Sequence, residues 1–167
     1  MDIYLPKQDY KAGAQLLRTE HLTESVDAAL AVMRVVHEDQ GEHELPAAKH
    51  PVVAMWRNNL PWAYEVGMSY AEEADARMGR ELEAMKPGSY ARAAVLERRL
   101  ALHAQMDALS RQIDLATTAE YTMQPPIWWD HEAVFAGYRS MLYRLSPYWY
   151  GALNDFDYTT VAPLPYR

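Results

Sequence analysis

An all-α fold, a single compact helical domain, is what the sequence predicts, on three observations. Apolar residues recur at three- and four-residue steps through successive stretches. Pro, Gly and Asn fall between those stretches rather than inside them. No run alternates apolar and polar residues as a half-buried strand does, and no internal repeat is visible. The 167 residues, half of them apolar, suffice for one continuous core.

The first clear helix runs over roughly 21–37, where Leu22, Val26, Ala29, Leu30, Met33 and Val36 share one face. The polar stretch His37 to His43 ends it, with Gly41 as the breaker. Pro51 suits the first turn of a second helix, where a missing N–H costs nothing. Asn58-Asn59-Leu60-Pro61 reads as a short break. Helix resumes over about 62–85, and Lys86-Pro87-Gly88 stops it. Ser89 is placed to cap a long helix. In it Val95, Leu96, Leu100, Leu102, His103, Met106, Leu109 and Ile113 form a stripe, read as one more core helix or as a partner surface. Met123 to Pro126 is a loop, about 131–145 a further helix, and the aromatic, Pro-punctuated end an irregular tail packed on the body.

Net charge is −7, unusual for a nucleic-acid binder, because phosphate contacts need clustered Lys and Arg. Its location is informative. Glu20, Glu24, Asp27, Glu38, Asp39, Glu42 and Glu44 face only Arg34, so seven acids against one base give −6 in this segment alone. The remainder is nearly neutral and leaves room for a local basic groove. Cysteine is absent, which removes disulfides, thiolate metal sites and cysteine nucleophiles. No stretch approaches the ~20 apolar residues of a membrane span, and the N-terminus lacks a signal-peptide layout. A cytoplasmic protein of bacterial or phage type, without membrane association, is expected.

Three ordered blocks carry a likeness to a known family. The first is Tyr4-Leu5-Pro6, Asp9-Tyr10, Gly13-Ala14, Leu17, His21-Leu22 and Ala29-Leu30. The second runs from His50-Pro51 through Met55-Trp56-Arg57 to Gly67. The third holds Pro126, Trp128, Glu132, Tyr138-Arg139-Ser140, Leu142, Arg144, Pro147 and Tyr150. Together they resemble the pyrimidine-dimer DNA glycosylase family of the endonuclease V type. About two-thirds of the chain is covered. The segment from about 88 to 120, with the long helix, has no counterpart and reads as an insertion into the single domain.

The resemblance implies a bifunctional glycosylase and AP-lyase chemistry without a cofactor. An N-terminal amine attacks the sugar C1′, the base leaves, and the resulting imine eliminates the 3′ phosphate. A helix-borne glutamate stabilises the positive charge and moves protons, and basic residues grip phosphates around an extruded nucleotide. Here the amine would belong to Met1. The glutamate position is occupied by Ala28, which can neither hold charge nor move a proton. Glu24 and Val26 stand where the family has basic residues. A carboxylate ~5 Å from a phosphate costs on the order of 3 kcal/mol in a surface-like dielectric. Glu24, one helical turn before Ala28, is the candidate substitute carboxylate, and Asp27 lies about 100° around the helix.

The candidate catalytic residues are therefore Met1, His21 and Glu24, with His21 either a site remnant or an ordinary helix-end histidine. The candidate DNA contacts are Trp56, Arg57, Trp128, Arg139 and Arg144. Trp56 and Arg57 read first as structural, Trp56 in the core and Arg57 bonding a helix end or carboxylate, and otherwise as a cleft wall and a phosphate grip. The aromatics Trp128-Trp129 and Tyr148-Trp149-Tyr150 suit base stacking or a small core. His37, Glu38, Asp39, His43 and His50 match no metal-ligand spacing and read as a solvated acidic turn, so no metal is expected. The function expected is that of a divergent glycosylase-like protein acting on or binding damaged or modified pyrimidines in DNA, with catalysis lost or altered. The alternative is a non-enzymatic acidic protein that binds a protein partner through the 20–44 face or the 89–117 helix.

Overall fold

The helical periodicity becomes seven α-helices within residues 1–39, 45–116 and 123–159, the parts that the computed structural model of the chain describes. They are α1 (Tyr10–Leu16), α2 (Thr19–Asp39), α3 (Pro51–Trp56), α4 (Leu60–Ala84), α5 (Tyr90–Ala116), α6 (Glu132–Leu145) and α7 (Pro147–Tyr150). A 3-10 turn over Pro46–Lys49 precedes α3. No strand occurs among the described residues, and none of their helices is long and apolar enough to cross a membrane.

The three long helices α2, α4 and α5 pack on one another and make the centre of the core. The apolar stripe of α2 faces inward as its spacing requires: Leu22, Val26, Ala29, Leu30, Met33 and Val36 are all buried. Where α2 crosses α4, Gly67 lets the backbones close up. A Cβ built there would sit 2.9 Å from the Ala29 Cβ, with Leu109 of α5 on its other side at 3.7 Å.

Arginines close the helix ends. Arg77 of α4 donates to the carbonyls of Ala14, Gln15 and Leu17, the orphan acceptors at the end of α1. Arg92 of α5 donates to the Leu82 carbonyl near the end of α4. Between these two helices Gly88, at φ +77, makes the turn that Lys86-Pro87-Gly88 announced. The Ser89 hydroxyl accepts from the Arg92 amide, as expected of a cap.

The second half of the core is aromatic. Trp56, Trp62 and Phe135 meet Trp129 edge-on, Trp128 lies tilted against it, and Tyr10 of α1 completes the group. The C-terminal segment folds back on this body: Phe156 stacks on Tyr150 and Tyr158 on Tyr143.

Three expectations are modified. The helix α1 had no periodic signal; its start is fixed by Asp9, whose carboxylate accepts from the Lys11 and Ala12 amides. On α5, Val95, Leu102 and Leu109 are buried but Leu96 and Leu100 face solvent, because α2 and α4 cover one side of that helix. Asp39 does not belong to an acidic face, since its buried carboxylate pairs with Arg57 at 2.9 Å. Gly41, Glu42, His43 and Glu44 lie outside the described residues.

Candidate functional site

The N-terminal strap is fixed before any pocket forms. Ile3 and Leu5 are completely buried and anchor it as apolar plugs. Between them, the Tyr4 amide donates to Ser25 Oγ at 3.0 Å, and the Tyr4 carbonyl accepts from the Tyr70 hydroxyl at 2.6 Å. Ser25 lies on the buried face of α2 and Tyr70 on that of α4, so residues 1–5 are pinned to both helices.

Pinned in this way, Met1, Asp2 and Tyr4 close one side of a pocket of about 350 Å³. Its other side is a single stripe of α2, Glu24, Asp27, Ala28 and Ala31, the i, i+3, i+4, i+7 set of one helix face. The small side chains of Ala28 and Ala31 leave the space open. Three acids line it, Asp2, Glu24 and Asp27. The Tyr4 hydroxyl donates to Glu24 Oε2 at 3.1 Å. Burial, then the Glu24 charge, pushes the Tyr4 phenol well above its usual range, so it stays a donor. Asp27 is raised by burial, against the opposing hydrogen bond it accepts from Gln105 of α5.

His21 lies one layer behind the pocket. Its ring is tilted against Tyr4 at 5.2 Å and stacks on Tyr150 at 5.6 Å. Burial lowers its pKa, with the Glu24 charge opposing, so the neutral ring is favoured. Tyr150 accepts from the Arg18 amide at 3.3 Å and lies 2.6 Å from His21 Nδ1, the geometry of a hydroxyl donating to a neutral imidazole. The α7 segment thereby locks His21, and His21 backs Tyr4.

Met1 and Glu24 thus come together beside Ala28, and His21 supports them without lining the space. The expected DNA contacts are placed elsewhere. Trp56 has no exposed surface to offer a base. Trp128 is half-buried, edge-on to Trp56, and donates to the Met55 carbonyl. Arg57 is spent on Asp39 and the Ala48 carbonyl. Arg139 is buried and donates to the Asp157 and Pro6 carbonyls and to Glu132. Arg57 thus ties the end of α2 to the turn before α3, and Arg139 ties α6 to the Pro6 loop and the C-terminal segment. Of the three arginines, Arg144 alone is exposed, with one hydrogen bond to Ser140 Oγ. Val26, where the resemblance implies a basic residue, points into the core.

In the last turn of α2, His37 bonds Gln112, and beyond it His50 caps α3 by accepting from the Val52 amide. Among the described residues no His, Asp or Glu group has the arrangement of a metal site.

Ser25 and Tyr70 are not singled out by the sequence, which gives Tyr150 only as a stacking or core aromatic. Ser25 carried a signal, a hydroxyl on the apolar face of an amphipathic helix, which needs a buried partner. Compared with protein-family models, curated proteins and solved structures, the chain has no match.

Proposed function

We propose that this chain is a divergent protein of the pyrimidine-dimer DNA glycosylase kind, engaging damaged or modified pyrimidine nucleotides in DNA with altered chemistry. The observation that carries the reading is that Met1 and Glu24 line one pocket with Ala28 on its wall. A free amine at residue 1 adds to the C1′ aldehyde of an opened abasic sugar and loses water to give an imine. Glu24, one turn from the vacated position, is the group that exchanges the proton with the departing hydroxyl. Trapping by borohydride on an abasic-site duplex tests this. A covalent adduct is expected, and it should vanish when the N-terminal amine is blocked. Absence of both adduct and duplex binding at low salt would overturn the reading.

A second reading has its own observation. Arg57 and Arg139 are turned inward, while Glu20, Glu24, Asp27 and Glu38 of α2 are exposed. A surface of that charge repels phosphate and suits a basic protein partner, and the outward Leu96 and Leu100 of α5 offer a further contact. Heparin separates the two. A DNA-engaging protein is retained at low salt, and an acidic scaffold flows through.

A further inference from the structure

We infer that Tyr4 is a positioning residue that holds the Glu24 carboxylate over the pocket, an assignment that rests on the amine–carboxylate reading above. Glu24 lies on the solvent face of α2, and a glutamate there samples several rotamers at little cost. A carboxylate that must meet one reacting nitrogen needs a fixed partner.

Tyr4 is that partner because it is itself fixed at three points. Its amide is bound to Ser25 and its carbonyl to Tyr70, both buried. Its ring rests on His21, which Tyr150 holds in turn. Its hydroxyl, the one group left to act, ends on Glu24 Oε2 and lines the same pocket as Met1. A side chain serving only as a core plug would need no hydroxyl there, and phenylalanine would fill the same volume.

The test is single-turnover borohydride trapping of an abasic-site duplex over a range of protein concentrations. Wild type is compared with Tyr4→Phe, Glu24→Gln and the double variant, each checked for an unchanged melting temperature. Tyr4→Phe should lower the maximal trapping rate about tenfold, the loss of one charge-assisted hydrogen bond, and leave half-saturation in place. The double variant should be no slower than Glu24→Gln, because Tyr4 acts through that carboxylate. A full maximal rate in either single variant, a change in half-saturation alone, or a double variant slowed by both factors multiplied would overturn the assignment. A silent wild type is a different failure: it removes the amine–carboxylate reading, and the role of Tyr4 with it.

Discussion

Ala28 and Glu24 occupy successive turns of one face of α2, and the space a longer side chain would fill at position 28 is open. A carboxylate placed there should therefore reach the pocket without disturbing the core. Ala28→Glu is predicted to raise the rate of trapping on an abasic-site duplex about tenfold or more; an unchanged or lower rate would show that the pocket is not aligned for this chemistry. Ser25→Ala removes the acceptor of the buried Tyr4 amide. A cost of about 1–3 kcal/mol is expected in urea unfolding, the range for stranding a buried donor. His21 gives a pH signature. Burial depresses its folded pKa below an unfolded value of about 6.5, so its contribution is present above that pH and lost as pH falls below it. The wild-type urea midpoint should drop between about pH 7.5 and about 5.5 more than that of His21→Phe. At this scale the sequence was partly legible. That Glu24 shares a face with Ala28 was readable, because one helical turn separates the two positions. Arg57 was readable as a helix-end ligand, but the inward turn of Arg139 was not, because its Pro6 carbonyl partner lies 133 residues away.

Among the elements, the crossing of α2 and α4 is set by one missing side chain. Gly67→Ala brings a Cβ to 2.9 Å from that of Ala29, so overpacking should cost about 1–3 kcal/mol. Ala29→Gly in the same chain should recover most of it, which two denaturation curves would decide. Arg77 binds three carbonyls at the end of α1; Arg77→Met should loosen that helix and expose its amides to hydrogen exchange ahead of those of α2. The long helices were legible because their stripes run over many turns and Pro51, Pro61 and Gly88 punctuate them. Helix α1, at seven residues, is too short for periodicity to speak. On α5 the pattern marked Leu96 and Leu100 with the core residues. Periodicity records which positions share a face, and the neighbours decide how much of that face is covered.

For the whole molecule, net charge and the disposal of its arginines bound any encounter with DNA. A chain of −7, with Arg57 and Arg139 committed internally, neutralises few phosphates. Its affinity for an abasic-site duplex should fall only shallowly with salt, with a log–log slope near −1 to −2 rather than the steep dependence of a basic binder, at about −0.9 per phosphate contact. A slope steeper than about −5 would reveal a basic surface that this account lacks. The proposed chemistry is narrower: a free amine at residue 1, which the Ile3–Leu5 strap would hold against α2, forms the imine, and Glu24 serves it. Proteolysis and mass spectrometry of the borohydride-reduced adduct test this most directly, since one spectrum reads both the N-terminus of the chain and the site of attachment. The sugar fragment is expected on the α-nitrogen of Met1. An adduct on the side chain of Lys7 or Lys11, or no adduct at all, would contradict it.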